Sequence, residues 1–479
     1  MNSIYENTTI CARSTAGAEG AIAIVRTSGK DSFDIVSKIF RKPSCHQCDP
    51  SAFHALELRK VHFGNIVNPS DGSVIDEVLI VKFKSPASFT GEDMVEIYCH
   101  GSEYIVSSIL KLLIANGATN AAPGEFTQRA FLNGRMDLAQ AEAVADLIAS
   151  KTKAAHDIAM NQMKGGYSGI LSGIREELLK IVSLMELELD FSEEDVEFAD
   201  RDHLKKLCDN TLKEISNLAD SFERGDVIKN GVPVAIVGAT NTGKSTLLNA
   251  LYGEDRAIVS DIEGTTRDTI EEQITIEGIR YRIIDTAGIR STKETIEIIG
   301  IERTFSTINK ATVILMVLDA TRSEYYSDAL KTLSTRINSP KHIFVILNKC
   351  DCIDAQRIEN DLRDISRLCS ECGITPKAVI PVSAAKREIT ALINAISESG
   401  HELSFNENET LVTNLRHFEA LNRSKASLQR VREALDTDTF TEFITQDLRE
   451  SIYHIGTITG QITNDEILGS IFSKFCIGK

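Results

Sequence analysis

The residues most able to do chemistry lie in a glycine-rich segment near the middle of the chain. Gly238-Ala-Thr-Asn-Thr-Gly-Lys-Ser245 fits the pattern G-x-x-x-x-G-K-S and lies between an apolar run at 232–237 and a helix-like run at 245–251. In this context the glycines let backbone N–H groups surround phosphate oxygens. Lys244 reaches the outer phosphates, and the Ser245 hydroxyl is placed to ligate Mg²⁺. A glycine-rich turn that only links a strand to a helix is the alternative for this segment alone.

Four later segments follow in the order that a GTP-binding domain requires. Glu263-Gly-Thr-Thr-Arg-Asp268 can close over Mg²⁺ and the terminal phosphate, and Asp285-Thr-Ala-Gly288 can hold the metal through water. Asn348-Lys-Cys-Asp351 follows a buried-strand run, and its last carboxylate can accept two hydrogen bonds that guanine donates and adenine cannot. Ser383-Ala-Ala385 can supply a backbone N–H to the guanine oxygen. Each segment alone could be a strand-end turn or a solvated loop, but the five in order predict a domain that binds GTP.

The predicted nucleotide contacts are spread over all five segments. They are Asn241, Thr242, Gly243, Lys244, Ser245, Thr246, Ser260, Asp261, Ile262, Glu263, Gly264, Thr265, Thr266, Asp285, Thr286, Ala287, Gly288, Asn348, Lys349, Asp351, Ser383, Ala384 and Ala385. Ser245 from the first segment and Thr266 from the second are the predicted Mg²⁺ ligands.

The composition is that of an ordinary globular protein. The chain has 479 residues, of which 42% are hydrophobic and 25% are charged, so we expect two to four domains. No apolar run reaches the ~18 residues of a membrane span. The first residues also lack the basic and apolar regions of a secretory signal. We therefore expect a cytoplasmic protein without a membrane partner.

The net charge and the positions of the cysteines make general nucleic-acid binding and a cysteine metal site unexpected. The formal net charge of −17 is not that of a general nucleic-acid binder, so any RNA contact must use a local basic patch. Two C-x-x-C pairs, at 45/48 and 369/372, belong to different predicted domains, so we expect free cysteines rather than a metal site. One predicted helix carries the candidate basic patch, for which a solvated helix face is the alternative: Arg416, Arg423, Lys425, Arg430 and Arg432.

Hydrophobic periodicity divides the chain into four segments. Residues 1–123 are predicted to form a mixed α/β domain, and residues 231–400 a P-loop GTPase domain with a mostly parallel sheet. Residues 124–230 and 401–479 carry apolar residues at three- and four-residue spacing, which predicts long amphipathic helices. The simplest architecture, of mixed α/β and α class, is a discontinuous helical bundle with the GTPase domain inserted into it. Two independent helical domains are the alternative.

Several motifs together give the chain, from Ser14 to Lys479, a resemblance to a known family. Besides the GTPase segments, they are Ile22-Ala-Ile-Val-Arg-Thr-Ser-Gly29, Ser88-Phe-Thr-Gly-Glu-Asp93, Pro123-Gly-Glu-Phe-Thr-Gln-Arg-Ala-Phe-Leu-Asn-Gly-Arg135, Asp137-Leu-Ala-Gln-Ala-Glu142 and Phe475-Cys-Ile-Gly-Lys479. In these motifs the chain resembles the MnmE or TrmE family of tRNA-modification GTPases. It departs from the family at Thr240, where Pro is usual, and at Arg135, where Lys is common.

The resemblance implies a homodimer whose N-terminal domain mediates dimerisation and binds a tetrahydrofolate derivative, either 5-formyl- or methylene-tetrahydrofolate. It implies a partner flavoprotein, MnmG or GidA, which forms a heterotetramer with the protein. Together the two add aminomethyl or carboxymethylaminomethyl groups to carbon 5 of the wobble uridine in certain tRNAs. By motif position, the implied folate contacts are Arg26, Glu96, Arg135 and Lys479. Cys476 is the implied candidate for a nucleophilic or redox role, with a structural role as the alternative.

The resemblance also implies how GTP hydrolysis is assisted. Ile289 stands where many small GTPases place a Gln that orients water, and no arginine finger is evident. The family's solution is a K⁺ ion in the position of the finger, and Glu297 is the implied water-orienting residue. The implied K⁺ ligands are Asn241, Ser260, Ile262 and Thr265. A GTP-switched assembly factor without modification chemistry is the alternative function, which the folate motifs disfavour.

Overall fold

The structure is a computed structural model, and it describes most of the chain. The described residues are 8–17, 20–45, 47–190, 201–253, 272–284, 308–337, 341–403, 410–437, 441–463, 465–475 and 477–478. None of the described helices combines the length and the apolar character that crossing a bilayer requires.

The described N-terminal residues form a seven-stranded sheet of order β3-β4-β5-β6-β2-β1-β7. Its strands are β1 (Ile10–Arg13), β2 (Gly20–Ser28), β3 (Phe40–Arg41), β4 (Val61–Val67), β5 (Val74–Phe83), β6 (Met94–Gly101) and β7 (Thr119–Asn120). Neighbouring strands are antiparallel, except that β7 pairs with β1 in parallel. Side chains alternate between the two faces of a strand. Val95 and Ile97 of β6 therefore pack in the core, whereas Glu96 and Tyr98 lie on the opposite face.

Helices cover the apolar face of this sheet. They are α1 (Ser32–Ser37), α2 (Pro50–His54) and α3 (Glu103–Ala115), and α4 (Glu125–Leu132) follows β7. Val106, Ile109 and Leu113 lie on one side of α3 and pack into the core with the strands. The apolar spacing over 104–116 predicts a helix that ends before Gly117, and Gly117, at φ 112, does lie just beyond the end of α3. The apolar runs at 21–26, 78–83 and 94–99 predict strands, and the structure confirms them.

The next described segment is helical. It comprises α5 (Leu138–Ala149), α6 (Lys153–Met163), α7 (Gly166–Asp190), α8 (Arg201–Asp220) and α9 (Phe222–Asn230). The alanine- and leucine-rich run at 138–149 has the apolar spacing that predicts a helix, and it forms one over that whole range.

A second described sheet, of six strands, has the order β13-β12-β11-β8-β10-β9. Its elements are β8 (Val232–Val237), α10 (Lys244–Tyr252), β9 (Glu272–Ile276), β10 (Ile279–Ile283), β11 (Val313–Asp319), α11 (Tyr326–Ser334), β12 (His342–Asn348), α12 (Ala355–Glu371), β13 (Ala378–Pro381) and α13 (Thr390–Leu403). All pairings are parallel except that of β9 with β10. The carboxyl ends of parallel strands share one edge of the sheet, where such folds bind ligands.

The described chain ends in three more helices: α14 (Leu415–Ala434), α15 (Thr441–Thr459) and α16 (Asp465–Phe472). Helix α15 packs along α7, and Arg449 of α15 forms an ion pair with Glu186 of α7 at 2.6 Å. Arg432 of α14 pairs with Asp209 of α8 at 2.8 Å. Helices that precede the second sheet in the sequence therefore pack with helices that follow it. They belong to one discontinuous bundle, as predicted, rather than to two independent helical domains.

The chain divides into two compact units. One comprises Met1–Ala149, Ala159–Thr211 and Arg423–Lys479, and it contains the seven-stranded sheet together with the α7–α15 pair. The other comprises Ser150–Ile158 and Leu212–Asn422, and it contains the six-stranded sheet.

Candidate functional site

The loop between β8 and α10 adopts a backbone conformation that only a few residue types tolerate. Gly238, Asn241 and Gly243 have φ values of 151, 64 and 93. Glycine adopts positive φ without strain, and asparagine does so more readily than most other residues. A Cβ atom on Gly238 would lie 2.4 Å from the carbonyl oxygen of Val317, so the loop also approaches its neighbour too closely for a side chain.

Lys244 lies over this loop at the start of α10. Its ammonium donates hydrogen bonds to the carbonyl oxygens of Gly238, at 2.9 Å, and Ala239, at 2.6 Å. Burial lowers the pKa of Lys244, and a phosphate beside it would favour the charged ammonium. Ser245 and Thr246 follow in the first turn of α10 and are exposed. A helix N-terminus that follows such a loop is suited to binding phosphate.

Asn348, the last residue of β12, joins three of the predicted segments. Its side chain is 2% exposed. The Nδ2 amide donates to the carbonyl oxygen of Thr242 at 2.9 Å, and Oδ1 accepts from the backbone N–H of Ala384 at 3.1 Å. This buried amide therefore ties the phosphate loop and the 383–385 segment to the end of β12.

Lys349 connects the loop to a residue that the sequence analysis missed. Its ammonium donates to the carbonyl oxygen of Asn241 at 2.8 Å and to Oδ2 of Asp319 at 2.7 Å. Burial raises the pKa of Asp319, but hydrogen bonds from Lys349 and Thr321 outweigh it, and the pKa is lowered overall. In the sequence, Asp319 is marked only as a carboxylate that follows the apolar run 313–318.

Asp351 is exposed and held as a hydrogen-bond acceptor. Its Oδ1 accepts from the Ser383 hydroxyl at 2.8 Å, and this hydrogen bond lowers the pKa of Asp351. The backbone N–H of Ala384 is engaged by Asn348, whereas that of Ala385 donates to no described residue. The structure thus brings Asp351 and the 383–385 segment together, with an ionised carboxylate and an available N–H.

Several predicted site residues lie outside the described part of the chain. They are Ser260, Asp261, Ile262, Glu263, Gly264, Thr265, Thr266, Asp285, Thr286, Ala287, Gly288, Glu297, Cys476 and Lys479.

The N-terminal sheet brings together two of the predicted folate contacts. Arg26 on β2 lies opposite Glu96 on β6, and its guanidinium donates to Glu96 Oε1 at 2.7 and 3.0 Å. Tyr98 donates its hydroxyl to Glu96 Oε2 at 2.7 Å. Burial, followed by this hydrogen bond, raises the pKa of Tyr98 to about 12. The rings of Phe89 and Phe126 lie 5.6 and 5.7 Å from the Arg26 guanidinium, so the pair sits in partly aromatic surroundings.

Arg135, the third predicted contact, lines an open cleft of about 500 Å³ that Phe89 also lines. The other lining residues are Arg59, Phe83, Ala87 and Ser88. Gly91, at φ 80, lies beneath the Arg135 side chain, since a Cβ atom there would be 3.3 Å from Arg135 Cγ. Phe89 therefore connects the cleft to the Arg26–Glu96 pair.

The described end of the chain lies against the same sheet. Ile477 forms a bridge with Pro123, and the Ser14 hydroxyl donates to the carbonyl oxygen of Gly478 at 3.1 Å. A Cβ atom on Gly478 would lie 2.0 Å from the carbonyl oxygen of Arg13, so this contact requires glycine. The segment thus meets β1, which pairs directly with the strand that carries Arg26.

The basic residues on α14 are partly matched by carboxylates. Arg430 forms ion pairs with Asp447 and Glu450, and Arg432 pairs with Asp209 and Asp436. This arrangement favours a solvated, ion-paired helix face over a basic patch for RNA. The described cysteines are free, and no described group of three or more His, Cys, Asp or Glu side chains is arranged to hold a metal.

Comparison with known proteins covers nearly the whole chain. The family model of the GTP-binding protein TrmE N-terminus matches residues 9–135, and that of the MnmE helical domain matches residues 138–476. The tRNA modification GTPase MnmE of Bacteroides thetaiotaomicron is 48% identical, over 98% of this chain and 99% of that protein. The protein of the same name from Flavobacterium johnsoniae is 45% identical, over 98% and 99%.

A solved GTP-binding protein from the archaeon Sulfolobus solfataricus, in complex with GDP, is 22% identical over 48% of this chain and 68% of that chain. Its TM-score of 0.28 is too low to support an argument. The two family models and the near-full-length relatives do support one. The chain belongs to the MnmE family of tRNA-modification GTPases, and it is an enzyme that binds and hydrolyses GTP.

Proposed function

We propose that this chain acts as a homodimer that couples K⁺-stimulated GTP hydrolysis to modification of carbon 5 of the wobble uridine in certain tRNAs. The partner is a flavoprotein of the MnmG or GidA type, and a tetrahydrofolate derivative donates the one-carbon unit. One observation carries the proposal. A single chain combines a phosphate loop and an exposed carboxylate, Asp351, with a second, aromatic and cationic cleft in its N-terminal sheet. A GTP switch alone would not need the second cleft.

The proposed domains follow the predicted boundaries. Residues 1–123 form the folate-binding and dimerisation domain, and residues 231–400 form the GTPase domain. Residues 124–230 and 401–479 are the two parts of the helical domain. The sheets support this division, since β1 to β7 lie within 10–120 and β8 to β13 within 232–381.

The chemistry proposed for the nucleotide site is charge stabilisation by the loop and its ions. Ser245 and Thr266 would hold Mg²⁺, which neutralises charge on the transferred phosphoryl group. The exposed Ser245 hydroxyl beside Lys244 fits that role. Asn241 fits a cation ligand, because its carbonyl is engaged by Lys349 while its side chain makes no hydrogen bond to a described residue. Ser260, Ile262 and Thr265 would complete the K⁺ site, and Glu297 would orient the attacking water.

Hydrolysis in matched salts tests the K⁺ proposal. We expect faster single-turnover hydrolysis in K⁺ than in Na⁺ at equal ionic strength. Asn241→Ala should remove most of the difference between the two salts. Glu297→Ala should slow hydrolysis by roughly 10²–10⁴ in saturating K⁺ while nucleotide affinity stays within a few-fold. Equal rates in both salts for the unmodified protein would reject the K⁺ site without affecting the assignment as a GTPase.

The proposed folate site joins the cleft to the Arg26–Glu96 pair. Cations suit the glutamyl carboxylates of folate, and a carboxylate suits the N–H edge of the pterin. The contact between Gly478 and β1 supports a role for the end of the chain at this site, and we assign Lys479 as its folate contact. Cys476 is the candidate thiol for the modification step.

Calorimetric titration with 5-formyl-tetrahydrofolate tests this site. We expect Arg26→Ala, and removal of Cys476 to Lys479, to weaken binding by at least about tenfold, as for loss of a charge-assisted contact. GTP hydrolysis should continue in both variants. Lys60→Ala is a matched control, because Lys60 is an exposed cation that forms an ion pair with Glu57, three residues away. Unchanged affinity in both test variants would place the ligand elsewhere.

Mass analysis of wobble uridines tests the whole proposal against the alternative of an assembly factor. In a deletion strain we expect the carbon-5 modification to disappear, and the intact gene should restore it. Restoration should fail with the Arg26→Ala variant. Unmodified and modified uridines at parental levels in the deletion strain would reject the proposal.

A further inference from the structure

Two successive peptide units of the phosphate loop are held by two successive residues at the end of β12. Lys349 bonds to the carbonyl oxygen of Asn241, and Asn348 bonds to that of Thr242. In a trans peptide unit, the carbonyl oxygen and the following N–H point in opposite directions. Pinning these carbonyls therefore turns the N–H groups of Thr242 and Gly243 to the other side. Neither N–H donates to a described residue, so both are available to phosphate oxygens.

Asn348 is fixed by its own burial, but Lys349 needs a separate anchor. That anchor is Asp319, whose side chain is only 6% exposed, against 34% for Lys349. Asp319 uses Oδ2 for the ammonium at 2.7 Å. Its Oδ1 accepts from the Thr321 backbone N–H at 2.9 Å and the Thr321 hydroxyl at 2.7 Å. Both carboxylate oxygens are therefore engaged, and the orientation of Asp319 is fixed.

The backbone fixes the carboxylate as well. Asp319 ends β11 directly opposite Asn348 in the parallel register with β12, and the N–H of Ala320 donates to the Asn348 carbonyl at 2.9 Å. Lys349 itself has φ 66, which bends the chain away from the strand at this point. The ammonium is thus held between a rigid carboxylate and one carbonyl of the phosphate loop.

We propose that Asp319 is a positioning residue for nucleotide binding: through Lys349 it fixes the peptide unit between Asn241 and Thr242. Asp319 contacts neither base nor phosphate. It links the segment that recognises guanine to the loop that surrounds the phosphates. Loss of Asp319 therefore lowers the affinity for every nucleoside diphosphate and triphosphate by a similar factor, and the preference for one base over another does not change.

A double-mutant cycle tests the link between Asp319 and Lys349. The variants are Asp319→Ala, Lys349→Ala and the double variant, titrated with a fluorescent GDP derivative. We expect Asp319→Ala to weaken GDP by about 10-fold or more, as for loss of a charge-assisted contact. Lys349→Ala should weaken it at least as much. The double variant should be no weaker than Lys349→Ala within about twofold, because the two residues act as one unit. A double loss equal to the product of the single losses would overturn the proposal.

Base preference provides a second readout that a general structural role would not produce. Asp319→Ala should keep the GTP-over-xanthosine-triphosphate preference of the unmodified protein within about twofold, while both affinities fall together. Asp351→Asn should do the opposite and change the preference itself. A changed preference in Asp319→Ala would mean that Asp319 acts on the base, contrary to the proposal.

Asp361→Asn is the matched control for loss of a buried carboxylate in the same unit. Asp361 is 7% exposed on α12 and accepts a hydrogen bond from the Tyr326 hydroxyl at 3.1 Å. Asp319→Asn is the conservative partner, used if Asp319→Ala does not fold. We expect the two Asn variants to lower the unfolding midpoint, with only Asp319→Asn weakening GDP. If both Asn variants lower the GDP affinity equally, the loss reflects general destabilisation of the protein, and the proposal is rejected.

Discussion

At the scale of single residues, the nucleotide site separates recognition from support. Asp351 is exposed, so its carboxylate is available to a ligand, and the hydrogen bond from Ser383 lowers its pKa. Asn348 and Asp319 are buried, and their side chains form hydrogen bonds with other residues of the protein. Substitution of Asp351 should therefore change which base is bound, whereas substitution of the buried residues should change how well any nucleotide is bound.

We expect Asp351→Asn to weaken GTP by roughly 10- to 100-fold, as for losing hydrogen bonds to a charged group. Xanthosine triphosphate should gain affinity, because its exocyclic oxygen can accept from the new amide. Competitive displacement of a fluorescent nucleotide measures both. Asp354→Asn is the control. Asp354 is the N-cap of α12 and accepts a hydrogen bond from the backbone N–H of Arg357, and Asn is an equally good N-cap residue. Unchanged GTP affinity in Asp351→Asn would contradict the assignment.

Tyr98 offers a test of the N-terminal site by pH. Its raised pKa of about 12 means that folding favours the neutral phenol over the phenolate, whose ordinary pKa is 10.0. The stability from this group is therefore complete below pH 10 and is lost as the pH rises through about 12. Ultraviolet titration of the protein and of Tyr98→Phe should differ by one phenol that ionises near pH 12. If the phenol lost in Tyr98→Phe instead ionises near its ordinary pKa, Tyr98 is not partly buried and hydrogen-bonded to Glu96 as described.

The spacing of residue types along the sequence predicts candidate ligand contacts. It does not predict the residues that hold those contacts in position. The sequence segment Asn348–Asp351 indicated guanine recognition, and the structure brings Asp351 to Ser383. Asp319 could not be found in this way, because its role depends on β11 lying beside β12. Pairing of that kind joins residues distant in sequence, and local spacing carries no signal for it.

At the scale of elements, the phosphate loop is fitted to the end of β12 rather than simply adjacent to it. A Cβ atom on Gly243 would lie 2.2 Å from Nδ2 of Asn348, the atom that holds the loop in place. The glycine in the loop motif therefore serves two needs, since its φ of 93 would also strain any other residue.

Gly243→Ala should weaken GDP by roughly 100-fold or more, because Asn348 must move and release the Thr242 carbonyl. Gly278→Ala is the matched control. Gly278 also has positive φ, at 83, but a Cβ atom there meets nothing within 4 Å. Gly278→Ala should lower the free energy of unfolding by about 1–2 kcal/mol because of backbone strain, and the GDP affinity should stay within twofold. Fluorescence titration and urea unfolding separate the two effects, and similar GDP affinities in the two variants would rule out the steric explanation.

Element prediction succeeded where the pattern is long or the context distinctive. The helix over 138–149 and the strand over 232–237 were predicted at their full extent. Strands β4 and β11 were not predicted. Every residue of β11 is buried, so it shows no alternation between polar and apolar positions. Strand β4 keeps exposed apolar side chains at Val61 and Phe63, which obscures its pattern in the same way.

At the scale of the whole molecule, the unit that contains the N-terminal sheet depends on contacts between remote parts of the chain. Helix α7 buries Leu171, Ile174 and Leu178, and α15 buries Leu448 and Ile455. These helices pack together although the whole six-stranded sheet lies between them in sequence. A sequence pattern can predict both amphipathic helices, but only the structure identifies them as partners.

We expect Leu448→Ala to lower the free energy of unfolding by about 2–5 kcal/mol, since it leaves a cavity in a buried region. Phe443→Ala on the same helix is the control. Its side chain is 58% exposed, and the change should be within about 0.5 kcal/mol. Urea unfolding followed by circular dichroism measures both. GDP affinity should stay within about twofold, because the nucleotide site belongs to the other unit. Equal effects of the two substitutions would argue against tight packing around α15.

The discontinuity of the bundle has a consequence for the time course of protein synthesis. Helix α7 ends at Asp190 and its partner α15 begins at Thr441. A ribosome adding 5–20 residues per second needs roughly 10–50 s to cover that distance. Throughout this interval the apolar side of α7 has been made but its partner has not. Nascent chains halted after Leu403 should therefore be cleaved within α7 by a protease, or be held by a chaperone, and chains released after Thr459 should not. Equal protection of α7 in both would mean that another segment covers it until α15 arrives.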